Sequence, residues 1–430
     1  MSEKILQYNV VVVGGGAAGL AAAVCCAKKT DGKIKIAVIE KENKIGKKLL
    51  ATGNGRCNLT NTDLSEKHYN FDSRAFVKSI ISKYGSEKLM LFFRSIGLIC
   101  KADSSGRVYP YSAQASSVLN VLTMNIEYYN VDVYCETEIN QIEYFSNGYR
   151  LKSKDKIFAA EKVILASGGK VQPALGSGGA SYKFAEDLGL ECTEIFPSLA
   201  PIPCGDKYLP LLKGVRTPAR VALKADGNIL HEEFGELQFN EKNISGICVF
   251  QLSRMVNEFF AARSINGVKY KKIVVTADLM PDYSQEEITK ILLARKKLFS
   301  QTDIKELFTG ILNQKLGNYL LKKLSICSHE RKMLTLTEEE AERLANAVKN
   351  CEFYPVGMSE YQSAQVTAGG IKLSEIDRTM RSIKHKNLYI IGEALNVDGM
   401  CGGYNLHWAF SGGIIAGNAA ADSYKAKKKR

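Results

Sequence analysis

The spacing of apolar and polar positions along this chain changes character twice. Val10 to Val13 is uniformly apolar, as a strand buried on both faces reads, and the small residues from Leu20 to Ala27 carry no charge. Ile34, Ile36, Val38 and Ile39 mark a second strand. Helical spacing recurs near 73–96 and 112–130, while Val131 to Ile142, Tyr149 to Lys152 and Lys162 to Ala166 read as strands. Residues 1–193 therefore predict the strand and helix alternation of an α/β layer fold.

From 194 to 281 the texture turns to short extended segments punctuated by Pro and Gly, with strands over Ala219 to Ala225, Gly235 to Phe239 and Lys272 to Asp278 and a helix near 248–263. This predicts a small β-rich domain of barrel type. Residues 282–349 have helical periodicity, and Ser284 with Glu287 and Thr337 with Glu340 have the spacing of capping boxes. The chain then becomes glycine-rich, with a strand from Leu388 to Ile391 and a helix from Asn405 to Ala421. The expected organisation is a Rossmann-like domain from 1–193 and 362–430, a barrel-like domain from 194–281 and 350–361, and a helical insertion at 282–349.

Composition alters this picture little. The 430 residues include eleven cysteines and five histidines, scattered without C-x-x-C spacing or clustering, so reduced thiols and no metal site are expected. The net charge of +13 sits partly in the run Lys425 to Arg430. Charge of this kind belongs more often to solvated tails than to nucleic-acid contacts, so nucleic acid is not expected as a partner. The uncharged stretch 10–27 is interrupted by glycines that a membrane helix would not place in succession, which predicts no membrane association and a cytoplasmic enzyme with a small-molecule substrate. Oligomeric state has no signature in the sequence.

Gly14 to Gly19 spells G-x-G-x-x-G between the first strand and its helix, the turn that brings backbone amides to a pyrophosphate at a helix N-terminus. Glu40 ends the second strand, where a carboxylate accepts from a ribose diol. Further glycine-rich segments at 46–61, 166–179, 369–370, 392–403 and 412–417 exceed what a nicotinamide site needs. One extended two-ring cofactor crossing the first domain accounts for them together.

Ile164-Leu165-Ala166-Ser167-Gly168-Gly169 resembles the second dinucleotide motif of two-dinucleotide-domain flavoproteins, and Leu388 to Asp398 resembles their third. More narrowly, G-K-K-L-L-A-T-G-N-G-R-C-N-L-T-N at 46–61, G-R-V-Y-P at 106–110, V-T-A-G-G at 366–370 and G-E-A-L-N-V-D-G-M-C-G-G-Y-N-L at 392–406 resemble the BaiN-like flavoproteins, also called aminoacetone oxidase-like NAD(P)/FAD-dependent oxidoreductases. The resemblance covers nearly the whole chain. It implies FAD, an FAD-binding Rossmann-like domain, and an inserted β-barrel-like domain with a helical subdomain.

Residue by residue, the resemblance puts Gly14, Gly16, Ala18 and Gly19 at the pyrophosphate and Glu40 at the adenosine ribose. Lys47, Lys48, Thr52, Gly53, Gly55 and Arg56 fall along the phosphates and flavin, and the Ile139 backbone falls at the adenine. Gly169 belongs to the second motif. Gly392, Glu393 and Asp398 fall on the ribityl side, and Gly403, Tyr404, Asn405 and Leu406 begin a helix whose N–H groups suit negative charge on the reduced ring. The chain departs from the family's pattern at Gly176 to Tyr182, which lacks an acidic residue, and at Asn396, where an aspartate is common.

Cys57 and Cys401 lie in flavin-side loops and, with no resolving partner in spacing, read as small packing residues. Tyr404 is the candidate proton donor. The implied reaction is NAD(P)H-dependent reduction of an enone, steroid-like or bile-acid-like. Oxidation of a small amine such as aminoacetone stands as the first alternative, and a flavin-containing RNA-binding or RNA-modifying protein as an alternative of another class. No second complete glycine fingerprint is present for NAD(P)H.

Overall fold

The computed structural model describes residues 5–145, 148–326 and 331–426. Cys327, His329 and the end of the basic tail from Lys427 lie outside the described residues. The chain forms two compact units, 1–195 with 365–430 and 196–364.

The first unit is built on β1 (Ile5–Val13), α1 (Ala17–Thr30) and β2 (Ile36–Ile39). β1 runs parallel to β2, with Val13 opposite Ile39, and parallel to β9 (Ile157–Leu165), with Val13 opposite Leu165. β6 (Asp132–Tyr134) extends the sheet beyond β2. On the far edge of β9 two strands share its length: β8 (Gly148–Lys152), in a hairpin with β7 (Gln141–Phe145), takes the first half, and β20 (Leu388–Ile390) takes the second in parallel. The order is β6-β2-β1-β9-β8-β7, with β20 also on β9. The parallel core strands are apolar on both faces because helices cover them.

A small sheet joins β3 (Thr60–Asn61), β5 (Arg107–Pro110) and β4 (Cys100–Ala102). The short helix α2 (Lys47–Ala51), α3 (Arg74–Ile81), α4 (Ser86–Ser95), α5 (Ala115–Tyr128) and α6 (Ala180–Asp187) complete the front of the unit. It closes with the short strand β19 (Val366–Ala368), then β20 and α11 (Tyr404–Ala426). The single helical pattern read over 73–96 is two helices, separated before Gly85, whose backbone is extended. The single strand read over 131–142 is also broken: Glu136 has φ +50, and the chain leaves the parallel sheet there to start the hairpin.

The second unit holds β10 (Phe196–Ser198), β11 (Ile202–Pro203), β12 (Arg216–Ala225), β13 (Asn228–Phe239), β14 (Asn243–Ser245), α7 (Ile247–Ala262), the hairpin β15 (Ser264–Ile265) and β16 (Val268–Lys269), β17 (Ile273–Asp278) and β18 (Cys351–Phe353). Six of these strands form one antiparallel sheet in the order β11-β14-β13-β12-β17-β18. Its two ends meet: Cys204 bridges Pro355, the Gly205 amide donates to Tyr354 and the Val356 amide to Pro203, both at 3.1 Å. The sheet is thereby closed on itself, which removes its free edges. Asp226-Gly227, with φ of +47 and +90, makes the tight turn between β12 and β13.

Helices α8 (Gln285–Leu298), α9 (Gln314–Lys323) and α10 (Glu338–Lys349) share one buried core with the barrel strands, through Leu292, Leu320, Leu344 and Val348 against Val275 and Phe353. Both capping boxes form, at Ser284 with Glu287 and at Thr337 with Glu340.

Candidate functional site

In the first unit β1, β2, β9 and β20 end side by side, since Val13 lies opposite both Ile39 and Leu165 and Leu165 lies opposite Ile390. The residues that follow these four ends are Gly14, Glu40, Ala166 to Gly169 and Gly392-Glu393. Ligands of open α/β sheets lie outside the carboxyl ends of the strands, and the glycine segments at 14–19, 166–169 and 392–393 converge there, whereas the segment 412–417 lies inside α11, where Gly413 and Gly417 let that helix rest on the backbone of α1.

The three fingerprint glycines of the first turn, Gly14, Gly16 and Gly19, have three different surroundings. Gly14 has φ +109, and a Cβ on it would lie 2.4 Å from the Ala166 carbonyl oxygen. A Cβ on Gly19 would lie 2.0 Å from the Gly14 oxygen, so it permits the close packing of helix on turn. Gly16 has nothing within 4 Å of such a Cβ; it faces open space. These are the tight turn, the packing contact and the ligand approach that the fingerprint requires. Gly16 caps α1 with no side-chain bond, and no acidic residue stands in the first turn. The helix therefore presents uncapped N–H groups suited to an anion.

The Glu40 carboxylate leans over this turn, accepting from the Gly15 amide at 2.8 Å and the Glu42 amide at 3.0 Å. Ala18 is buried beneath Gly392, whose φ is +71. Lys48 pairs with Glu393 at 2.8 Å, and the other Glu393 oxygen accepts from the Thr367 amide at 2.8 Å. Gly169 packs against both, since its Cβ would lie 2.3 Å from Thr367 Oγ1 and 2.7 Å from Glu393 Oε1. Lys47 turns instead to Glu42, at 2.6 Å. An open cleft of about 540 Å³ lies beside them, lined by Lys41, Glu42, Asn43, Lys47, Glu136 and Glu138, and Ile139, buried, follows the last of these in the chain.

Thr52 closes α2 by donating to the Leu49 carbonyl at 2.6 Å. Gly53, Asn54, Gly55 and Cys57 all have positive φ, which glycine adopts freely but which strains the backbone at Asn54 and Cys57, as at many ligand sites. Arg56 does not join the lysines; its guanidinium lies 4.8 Å over the Tyr109 ring. Cys57 is fully buried, and burial pushes its thiol up to about 12, which makes it an inert packing residue.

At the start of α11, Gly403 has φ +98, and its Cβ would lie 2.6 Å from the Thr60 carbonyl and 2.7 Å from Asn58 Oδ1. Asn405 brackets Gly399, accepting from its amide at 2.8 Å and donating to its carbonyl at 2.7 Å. Leu406 is half-buried. Asp398 is buried, and its carbonyl accepts from the Asn70 amide at 2.9 Å. Tyr404 is 5% exposed, and burial pushes its phenol up to about 12. Trp408 and Phe410 are core residues, with the Trp408 indole donating to the Gly392 carbonyl at 3.1 Å.

Several residues at this end have no role assigned by the motifs. His407 is fully buried between Thr60 Oγ1 and the Tyr84 carbonyl, each at 2.9 Å. With the carbonyl obliging Nε2 to donate, Nδ1 accepts from Thr60. Asp63 and His68 lie beside Tyr404, and Thr367 lies in the V-T-A-G-G segment without having been singled out. Asn58 Oδ1 is buried with no hydrogen-bond partner. A buried acceptor left open next to a helix N-terminus fits a ligand carrying an N–H edge, as the flavin ring does. Together with the open Gly16 turn, this makes the residues of the first unit fit FAD. Among the described residues no cluster of His, Cys, Asp or Glu could hold a metal, and no helix is long and apolar enough to cross a membrane.

Over residues 8–419 the chain matches the family described as the HI0933-like protein Rossmann domain. It belongs to that family. This bears out the resemblance carried by the glycine motifs. The chain is 33% identical over 400 residues to the 3-dehydro-bile acid delta(4,6)-reductase of Clostridium scindens, spanning 92% of this chain and 95% of that one. It is 27% identical over 383 residues to the ribosomal RNA dihydrouridine synthase of Haemophilus influenzae, spanning 87% and 90%. Among solved structures, a quinol-fumarate reductase chain shares the fold, with a TM-score of 0.51 at 14% identity over 97% of this chain and 71% of that one.

Proposed function

We propose that this protein is an FAD-dependent oxidoreductase that uses NAD(P)H to reduce a carbon–carbon double bond conjugated with a carbonyl. The observation that carries the reading is the agreement between the two kinds of relative. A 3-dehydro bile acid with a double bond at position 4 is an enone, and making dihydrouridine from uridine saturates a double bond conjugated with the base's own carbonyl. The two substrates differ in everything but this group. A steroid-like or bile-acid-like enone is the first choice, because that relative is the more similar.

FAD, when bound, supplies two-electron transfer at its N5 atom. The chain's residues do the rest. Gly14, Gly16 and Gly19 bring the amides of α1 to the pyrophosphate, Glu40 holds the adenosine ribose, and the Ile139 backbone meets the adenine. Lys47, Lys48, Thr52, Gly53, Gly55 and Arg56 lie along the phosphates and ring, with Gly169, Gly392, Glu393 and Asp398 on the ribityl side. The amides at Gly403, Asn405 and Leu406 offset negative charge on the ring. Tyr404, kept protonated by burial, gives its Oη proton to the substrate carbon next to the carbonyl.

The relatives that act on ribosomal RNA favour a second reading, the same reduction on a uracil base. Binding of RNA at low salt that weakens steeply as salt rises supports it, and no binding at low salt removes it. The reaction itself is tested anaerobically. NADH or NADPH should bleach the bound flavin, and a 3-oxo-4-ene bile acid should restore its absorbance. Bleaching by aminoacetone but by neither nicotinamide would replace the reductase reading with the amine-oxidase one.

A further inference from the structure

The loop after β3 and the start of α11 bring three side chains together. His68 stacks on Tyr404 with ring centroids 4.4 Å apart and 16° between planes. Its Nε2 lies 3.1 Å from Asp63 Oδ2. The three grade from solvent inward: the Asp63 side chain is 78% exposed, that of His68 24%, and Tyr404 5%.

The backbone fixes this arrangement on both sides. The Met400 amide donates to the His68 carbonyl at 2.9 Å, and Tyr69 bridges Gly399. The Tyr69 hydroxyl donates to the Tyr404 carbonyl at 3.0 Å, with its ring edge-on to that of Tyr404. A stack made only for packing would not need a carboxylate to hold the imidazole by one nitrogen.

We propose that Asp63 and His68 are a positioning pair for Tyr404: the imidazole, held by the carboxylate, fixes the plane of the phenol and, when protonated, favours the phenolate that forms as the phenol gives up its proton. The proposal rests on the reading of Tyr404 as proton donor to an enone. In that step the Tyr404 O–H bond breaks, a C–H bond forms on the carbon next to the carbonyl, and the electron pair stays on the phenolate oxygen until solvent returns a proton. The two electrons that reduce the double bond come from the reduced flavin.

The sign follows from the charges around the ring. Asp63 raises the Tyr404 phenol, and Arg107 on β5 lowers it. A neutral His68 leaves the Asp63 charge opposing the phenolate, whereas a protonated one cancels that charge and places a cation against the ring. Of the other charged groups of this segment, Glu66 pairs with Lys78 at 3.5 Å, Arg74 donates to the Tyr69 and Lys67 carbonyls, and the Lys67 and Asp72 side chains are exposed. Proton delivery should therefore be weaker wherever His68 is neutral.

The test uses the flavin-loaded protein reduced by light under anaerobic conditions, so that no nicotinamide takes part. It is mixed with 2-cyclohexenone or a 3-oxo-4-ene bile acid across a pH series. Wild-type reoxidation should fall about tenfold on the alkaline side. His68→Gln should be slow throughout and lack that fall, and Asp63→Asn, which leaves the imidazole unheld, should also slow reoxidation. In flavin-free protein the His68 ring proton resonance, assigned by its loss in His68→Gln, should lie upfield through the Tyr404 ring current and return downfield in Tyr404→Leu. A His68→Gln profile that parallels wild type overturns the pairing alone, as does an unshifted resonance. Wild-type protein that neither probe reoxidises, with the resonance shifted as expected, overturns the enone reading and this proposal with it.

Discussion

The two units of this chain are held together by different means. In the first, main chain meets main chain: a Cβ at Gly413 would lie 2.3 Å from the Ala18 oxygen and one at Gly417 2.3 Å from the Ala22 oxygen, so α11 rests directly on the backbone of α1. In the second, side chains carry the order. The Tyr319 hydroxyl donates to Asp206 at 2.5 Å, and Lys323 reaches the same carboxylate at 2.9 Å and the Glu352 carbonyl at 2.7 Å. Asn257 ties the Pro197 carbonyl to Ser359. Both units keep buried polar atoms without hydrogen-bond partners, at Asn58 in the first and at Ser198, Arg295 and Asn318 in the second; what sets the first apart is an uncapped helix that opens on a glycine with nothing within 4 Å of its Cβ. The difference separates a ligand cradle, where one added carbon is decisive, from a scaffold, where single changes have graded effects.

The sharpest break of that comparison lies between two glycines of one turn. Gly16→Val should yield colourless protein whose flavin-free melting temperature is unchanged, because its Cβ meets nothing within 4 Å. Gly19→Val should lower the melting temperature of the first unit itself, because its Cβ falls 2.0 Å from the Gly14 oxygen. Retained flavin in the first variant would mean that the turn is not where the pyrophosphate sits. Next in size, Tyr404→Phe should keep FAD and its bleaching by nicotinamide but slow reoxidation by an enone roughly 100-fold or more, the usual scale of a lost general acid. Equal loss in both half-reactions would make Tyr404 a structural residue.

A third effect is set by pH. Burial lowers the His407 imidazole from 6.5 to about 4, so the unfolded chain binds a proton that the folded one refuses. Stability from this group is intact above pH 6.5 and falls as pH drops toward 4, by about 3 kcal/mol at the limit. Urea midpoints at pH 7 and pH 4.5 should show it, and His407→Gln should flatten the slope while lowering stability at pH 7. The smallest effect belongs to the scaffold: Ser284→Ala removes one half of a capping box and should cost about 1 kcal/mol with the flavin spectrum unchanged. A change in that spectrum would blur the division between cradle and scaffold.

The same contrast governs what could be read from the sequence. The Rossmann-like α/β class was legible because its signals are local: a buried strand, a glycine turn and an acidic strand end follow one another within a single β-α-β unit. The capping boxes were legible for the same reason, since both partners lie within one helical turn. Glu136 was not, because a non-glycine residue with positive φ has no marker of its own, and the strand read through it is really the end of one sheet pairing and the approach to another. Closure of the barrel between Cys204 and Pro355 depends on register across most of the second unit. His68, Asp63 and His407 are single residues of common types, and only the fold that sets the 58–70 segment against α11 gives them a common address. Thr367 lay in a flagged motif, yet its bonds to the Lys170 and Val171 amides have no trace in spacing.

The central claim is that electrons leaving this cradle go to a conjugated double bond, and product analysis of a single anaerobic turnover tests it most directly. Protein reduced with one equivalent of NADH or NADPH and mixed with a 3-oxo-4-ene bile acid in heavy water should give one saturated ketone per flavin, with a solvent deuteron on the carbon next to the carbonyl. A flavin that stays reduced until oxygen is admitted, with the enone recovered intact and peroxide formed, would contradict the account.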